Sequence, residues 1–407
     1  MNRVNTKSEK CSILFVLPDL QGGGAEKTAI NLLSSIDKNK YDCRVMVLRN
    51  EGVHLQTAID EGWLIESPKE PRFLRKMQLE DPLRILFSAW QIRKAATQNR
   101  PDVILTFMSD TSIPMYLSRT RDAIGAYWIA REGNNTPRTI KETINNKILQ
   151  YIAQKMVGIS LRSSDQLLCI SRGMIDTFSK TYQVTKEKIN VIYNPVNLSK
   201  LHSSSPLKNK VFNNSVLKMS LDDQRPMVLA VGRLSHQKGF DILIRAFSNT
   251  LAKKGFQLTI LGEGDQREML EHLIKELNLE DQVYLPGYHE HPELWMKKAH
   301  CFVLSSRWEG FGHVVVEAMT TGTPVIATQC HFGPEEILEY GQSGKLIPIE
   351  NQLALEDALV ELIDKNQSHI PKRIARAQQR AKDFCMNSIV AEYERLFSLV
   401  SLNRGGL

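Results

Sequence analysis

The feature that most constrains this chain is an alternation of short apolar runs with helical patterns, carried through once, interrupted, and then begun again. In the first half, residues 13–17, 43–48, 103–107, 126–130 and 166–170 are strand-sized apolar runs. Residues 25–35, 83–96 and 139–156 between them repeat apolar side chains at helical spacing. After Asn194-Pro195 comes a polar Ser/Lys/Asn stretch, 201–214, suited to a linker or an exposed insertion. The alternation then restarts, with strands expected at 228–231, 257–261, 283–285, 301–304 and 324–327. Residues 353–402 read as helical throughout. Strands that alternate with helices form parallel sheets covered on both faces. The expectation is therefore an α/β chain of two doubly wound, Rossmann-like domains facing each other across a cleft. The boundaries fall at 1–197 and 198–384, with a C-terminal helix, 385–407, returning to the first domain. A length of 407 residues is too great for one core and agrees with this division.

In doubly wound sheets ligands bind beyond the carboxyl ends of the strands. Chemistry-bearing residues belong just after the apolar runs, and several stand there. The first run ends in Pro18-Asp19-Leu20-Gln21-Gly22-Gly23-Gly24-Ala25-Glu26, a Gly-rich turn opening a helix whose N–H groups suit an anion. It is not GxGxxG, and no acid closes the second strand, so a nicotinamide site is disfavoured. The second half opens with Gly232-Arg233-Leu234-Ser235-His236-Gln237-Lys238-Gly239, where two cations five residues apart can grip a diphosphate. Alone, such a pair reads rather as two solvated loop charges. Farther on, Ser305 to Met319 carries Glu309, the turn Gly310-Phe311-Gly312, then His313, Val314 and Glu317. The two carboxylates, eight residues apart across a glycine turn, suit paired sugar hydroxyls, and the N–H groups at the helix start suit phosphate or sugar oxygens.

The run Glu309-Gly310-Phe311-Gly312-His313-Val314-Val315-Val316-Glu317 resembles the signature of the retaining glycosyltransferases of family 4, which have the GT-B fold. The resemblance extends over nearly the whole chain: GGGAEK near the start, NPV at 194–196, GRLxxxKG at 232–239, GEG at 262–264, LPGY at 285–288 and GTPVIAT at 322–328. It is nearest to bacterial enzymes of O-antigen, lipopolysaccharide and lipid-linked oligosaccharide synthesis. The resemblance implies that Arg233 and Lys238 hold the donor diphosphate beside Gly232, and that Glu309 binds donor-sugar hydroxyls. Glu317 would bind the ribose. Gly310, Phe311, Gly312, His313 and Val314 would contact sugar and phosphate through their backbone, Tyr288 would cradle a uracil base, and Gly23 and Gly24 would close from the first domain. It further implies a retaining transfer from a UDP-sugar with no cofactor and no metal, and the sequence offers no DxD triad. A histidine that many members carry after the strand matching 103–107 is missing. Asp110 or Ser109 stands there instead, and Asp110 and Arg131 are the candidates for the acceptor side.

Charge adds a partner. Residues 1–199 hold 28 basic against 20 acidic side chains, while residues 200–407 hold 24 against 25. A basic first half suits an anionic partner, and Arg138, Lys141, Lys147, Lys155 and Arg162 accompany Ile144, Ile148, Tyr151 and Ile152 there. With Arg72-Phe73-Leu74-Arg75-Lys76, this reads as a surface for anionic lipid, and the resemblance to bacterial enzymes then implies a lipid-linked glycan acceptor. No apolar run is long enough to span a bilayer and the polar start lacks a signal core, so a cytoplasmic enzyme peripheral on the membrane is expected. Six scattered cysteines and the absence of CxxC favour neither disulfides nor zinc. Interleaved basic and aromatic residues for nucleic acid are lacking. A nucleotide-sugar epimerase of the same architecture and a non-catalytic sugar-binding protein are the alternatives.

Overall fold

The computed structural model describes residues 10–65, 68, 71, 81–119, 124–198, 224–363 and 369–404. The chain forms two compact units, Met1–Pro195 with Met386–Leu407, and Val196–Cys385. Each is built on a six-stranded parallel sheet among the described residues. The expected segments at 72–76 and 201–214 lie outside the described residues.

In the first unit β1 (Cys11–Leu17), β2 (Tyr41–Val47), β3 (Val103–Phe107), β4 (Tyr127–Glu132), β5 (Gln166–Cys169) and β6 (Ile189–Val191) lie in the order β2-β1-β3-β4-β5-β6. Central strands covered on both faces must be apolar on both, and β3 is buried at every position. On one face Phe15, Leu17, Val47 and Phe107 meet Ala29, Leu32 and Leu33 of the helix Gly24–Ser35. Ile389, Tyr393, Leu396 and Phe397 of the last helix, Met386–Arg404, complete that core. Tyr41 Oη donates to the Glu394 carbonyl at 2.8 Å, and its ring meets Phe397 edge-on at 6.0 Å. Each such fully buried apolar side chain contributes roughly 1.5–3 kcal/mol. The last helix is therefore an integral layer of the first unit.

In the second unit β7 (Met227–Val231), β8 (Gln257–Leu261), β9 (Val283–Gly287), β10 (Cys301–Leu304), β11 (Val325–Thr328) and β12 (Lys345–Ile347) take the order β12-β11-β10-β7-β8-β9. Val228, Ala230, Leu258, Ile260 and Val303 pack under Leu243, Ile244 and Phe247 of the helix Phe240–Asn249. The chain enters and leaves this unit at neighbouring points, because Val196 N–H donates to the Phe384 carbonyl at 2.9 Å in an isolated parallel bridge.

Two helical expectations need correction. Residues 139–156 are not one helix: Thr136–Thr143 ends before Asn146, whose side chain accepts from the N–H groups of Ile148 and Leu149 and caps a new helix, Lys147–Ser163. Within 353–402 the described helices are Gln352–Ile363, His369–Ala381 and Met386–Arg404, with residues 364–368 outside the described ones. The helical pattern is interrupted before Met386 by the extended residue Cys385, required for the bridge to Val196.

Candidate active site

The second sheet reverses its winding between β7 and β10, and a doubly wound sheet opens a crevice at such a point, beyond the strand carboxyl ends. The loop after β7 carries Gly232, Arg233 and Lys238, and the loop after β10 carries Glu309. They meet there. Lys238 Nζ lies 2.5 Å from Glu309 Oε1, and Ser306 Oγ donates to the same oxygen at 2.6 Å. The Lys238 side chain is 17% exposed and that of Glu309 7%, so the pair is largely desolvated and each charge depends on the other.

The loop 233–239 has only a short 3₁₀ turn, His236–Lys238, of its own. It is shaped by bonds to the loop after β10. Arg307 N–H donates to the Gln237 carbonyl at 2.7 Å, Gln237 Nε2 to the Trp308 carbonyl at 2.9 Å, and Ser305 Oγ to the Lys238 carbonyl at 2.8 Å. Gly239, at φ 60°, makes this approach possible, since a Cβ there would lie 2.3 Å from the Ser305 carbonyl oxygen. Lys238 consequently stands two residues before the helix Phe240–Asn249. On the other side, Gly262 at φ 146° lets the end of β8 cross Gly232, where a Cβ would come within 1.8 Å of the Gly232 carbonyl oxygen. Leu234 N–H then donates to the Glu263 carbonyl at 2.8 Å. Arg233 projects from this braced loop and is exposed.

After Glu309, Gly310 and Phe311 are buried, and Gly312 at φ 98° caps the helix His313–Thr321. An α-helix leaves the N–H groups of its first turn without intrahelical partners, and His313 and Val314 open this one. Phe311 is fixed by ring contacts with His313 at 5.4 Å and Phe384 at 5.5 Å. Glu317 lies half-buried one turn farther along. Tyr288, just beyond β9, is 71% exposed, and a ring so placed is open to stack on a base. Ser306, which sequence reasoning did not single out, owes its position to β11: its carbonyl accepts from Thr328 Oγ1 at 2.6 Å and Cys330 Sγ at 3.3 Å.

Gly23, Gly24, Asp110 and Arg131 belong to the first unit, whose own winding reverses between β1 and β3. Gly23 and Gly24 begin the helix Gly24–Ser35 after β1. The Glu26 carboxylate folds over this turn, 2.6 Å from where a Gly23 Cβ would be, and burial raises its pKa. A carboxylate there competes with any anionic ligand for the turn. Asp110 lies in the first turn of the helix Ser109–Ser118 after β3. Before it, Met108 holds φ 68° and ψ 167°, a conformation that residues with side chains rarely adopt and that concentrates at functional sites.

Arg131 and Glu132 are the last residues of β4 rather than part of the loop after it. Arg131 is fully buried: Nε donates to Tyr393 Oη at 3.0 Å, Nη2 to Asn194 Oδ1, and the guanidinium lies 4.8 Å over the Phe107 ring. It ties the sheet to the last helix, and a substrate could reach it only by displacing these partners. Glu132 is also buried, with Oε2 accepting from Thr136 Oγ1 at 2.8 Å. Burial pushes its pKa up to about 8, with Asp110 adding to the effect and Thr136 opposing it.

Two family descriptions match the chain in series, "Glycosyltransferase Family 4" over residues 22–200 and "Glycosyl transferases group 1" over residues 214–383. An uncharacterized glycosyltransferase of Methanocaldococcus jannaschii is 29% identical over 378 residues, 83% of this chain and 90% of the relative. The N-acetylgalactosamine-N,N'-diacetylbacillosaminyl-diphospho-undecaprenol 4-alpha-N-acetylgalactosaminyltransferase of Campylobacter jejuni is 25% identical over 374 residues, 90% of this chain and 93% of the relative. Among solved structures, Anabaena Alr3699/HepE in complex with UDP and glucose superposes with a TM-score of 0.76 at 19% identity, covering 95% of this chain and 99% of that one. At that identity the likeness is one of fold, and the fold is GT-B.

Proposed function

The chain belongs to the family 4 glycosyltransferases of the GT-B fold, and from that premise we propose that it moves a hexose or N-acetylhexosamine from a UDP-sugar to a lipid-linked glycan, with retention at the anomeric carbon. The observation that carries this reading is the Lys238–Glu309 pair, desolvated at the β7/β10 crevice and flanked by the helix starts at Phe240 and His313. A donor diphosphate would be met by Arg233, Lys238 and helix N-terminal dipoles, with Glu309 left to accept from sugar hydroxyls. As the bond from the anomeric carbon to phosphate oxygen breaks and the bond to the acceptor oxygen forms, negative charge gathers on the leaving diphosphate. Fixed cations already aimed at it lower the barrier without reorganising, and we assign them the part a metal ion would otherwise play. UDP is favoured as the carrier by the HepE complexes with UDP and UDP-glucose. A lipid-linked acceptor of bacterial surface-polysaccharide synthesis is favoured by relatives named for undecaprenol-linked substrates and for lipopolysaccharide core.

We also assign the acceptor's membrane as a partner of the first unit. The helices Pro82–Asn99 and Lys147–Ser163 contain no Asp or Glu, and both pack on the helix Ser109–Ser118. They expose Leu83, Leu86 and Trp90, and Ile148, Leu149, Tyr151 and Ile152. Lys94 lies 5.5 Å over Trp90 and Lys155 5.4 Å over Tyr151. Aromatic and aliphatic residues beside lysines, on helices without acidic residues, suit an anionic bilayer surface. No described helix is long and apolar enough to cross a membrane.

A thermal-shift panel of UDP-, GDP- and ADP-sugars tests the donor class, because a ligand at 100 times its Kd stabilises by about 2.7 kcal/mol. UDP-sugars should stand out. Equal shifts with all three carriers, or none with UDP-sugars, would remove the donor assignment.

A further inference from the structure

We propose that Ser306 is a positioning residue of the donor site, whose hydroxyl holds one oxygen of Glu309 so that the other stays turned toward the donor sugar. The inference rests on the donor reading above and adds a residue to which that reading gives no part. Among the described residues, every bond that Glu309 makes through its carboxylate ends on Oε1. The Lys238 ammonium lies 2.5 Å from that oxygen, and Ser306 Oγ donates to it at 2.6 Å. Neither contact engages Oε2. A carboxylate accepts at both oxygens, and Glu309 is only 6% exposed as a whole residue. The pair of bonds therefore leaves Oε2 as the acceptor for a ligand that has hydroxyls to donate.

Ser306 itself is fully buried, and its backbone is held independently of its hydroxyl: the carbonyl accepts from Thr328 Oγ1 at 2.6 Å and from Cys330 Sγ at 3.3 Å. The hydroxyl can therefore be removed without releasing the residue. The neighbouring Ser305 Oγ donates to the Lys238 carbonyl at 2.8 Å, so consecutive serines fix the backbone of Lys238 and the carboxylate that its ammonium meets. The two partners of Oε1 cease to be equivalent once a donor binds. A diphosphate competes with Oε1 for the Lys238 ammonium. A carboxylate held by Lys238 alone would follow the ammonium or turn as that bond weakens, carrying Oε2 away from the sugar. The buried Ser306 hydroxyl keeps Oε1 in place while Lys238 serves the phosphate. Its contribution thus belongs to the donor-bound state and to the sugar half of the ligand.

Ser306→Ala and Ser306→Cys separate this role from one in folding. UDP is titrated calorimetrically into the full chain, and release of UDP from UDP-glucose, UDP-galactose and their N-acetylhexosamine counterparts is followed without acceptor. Both variants should bind UDP within about twofold of wild type, because Lys238 and its loop are retained. On the sugar nucleotide that wild type hydrolyses fastest, Ser306→Ala should release UDP about tenfold more slowly, the worth of one hydrogen bond to a charged group. Ser306→Cys, a poorer donor of similar size, should lie between, and it keeps the test open where alanine fails to fold. UDP affinity that falls as far as turnover, turnover equal to wild type, or unfolding of both variants would make Ser306 a structural serine, and the proposal falls with the donor reading intact. Wild type that binds UDP but hydrolyses none of these sugar nucleotides removes the hexose donor and the proposal together. Absence of UDP binding by wild type overturns the donor reading itself.

Discussion

Replacing Lys238 with methionine keeps the length of the stem and removes the ammonium 2.5 Å from Glu309 Oε1. Two costs follow, on different readouts. Among the described residues, Glu309, 7% exposed in its side chain, then retains only the Ser306 hydroxyl at 2.6 Å as an answer to its charge. Breaking a fully buried pair costs about 3–5 kcal/mol. Lys238 keeps 17% of its side chain in water, which places the expected loss of folding stability toward the lower end, about 2–3 kcal/mol. The catalytic loss is separate: a fixed charge aimed at the leaving diphosphate is worth roughly 2–4 kcal/mol of barrier, about 10²–10³ in rate. Adding Glu309→Gln removes the stranded carboxylate, so the double variant should regain most of the stability in urea melts while turnover of radiolabelled UDP-sugar stays low. Single-variant turnover within fivefold of wild type, or recovery of stability and turnover together, would refute the assignment of Lys238 to the diphosphate.

Three further outcomes are expected. Glu132 has its folded pKa raised to about 8 from 4.5, chiefly by burial, so the folded chain keeps a proton that the unfolded chain releases. The stability this contributes is complete below pH 4.5 and is lost at roughly 1.4 kcal/mol per unit as pH rises toward 8. Glu132→Gln should flatten urea stability between pH 5 and pH 8 and be the more stable form at pH 8; parallel curves would contradict the burial argument. Gly262→Ala should cost at least about 2 kcal/mol and abolish UDP binding, since its Cβ would collide with the Gly232 carbonyl at φ 146°; a variant that melts and binds like wild type would show that the loop crossing is not needed. Trp90→Ser with Ile148→Ser and Ile152→Ser should abolish flotation with anionic liposomes while leaving UDP binding intact. Wild type that fails to float at low salt would end the membrane assignment.

Strands were legible where burial on both faces imposes continuous apolar runs, as in β1, β3 and β8. The edge strands β6 and β12 went unseen because three residues with one buried position each leave no pattern. Helical periodicity ran on across Asn145–Asn146, because a cap is one side chain and does not interrupt the apolar spacing. At the site, the resemblance carried by residues 232–239 and 309–317 singled out Lys238 and Glu309, and the structure brings the two side chains together. Ser306, Arg307 and Thr328 were not legible, because their places arise from contacts between loops and a strand far apart in the sequence. Arg131 could be seen as a charge at a strand end. Its burial under the last helix, against Tyr393, is a tertiary fact that local residues do not record.

Hydrogen–deuterium exchange with and without UDP tests the central claim most directly, since it needs neither the acceptor nor the donor sugar to be known. The expected result is protection of amides in 232–239 and 309–317, with little change in the helices Pro82–Asn99 and Lys147–Ser163. UDP that binds with protection elsewhere, and none at Lys238 or at the start of the His313–Thr321 helix, would contradict the placement of the donor site at the β7/β10 crevice.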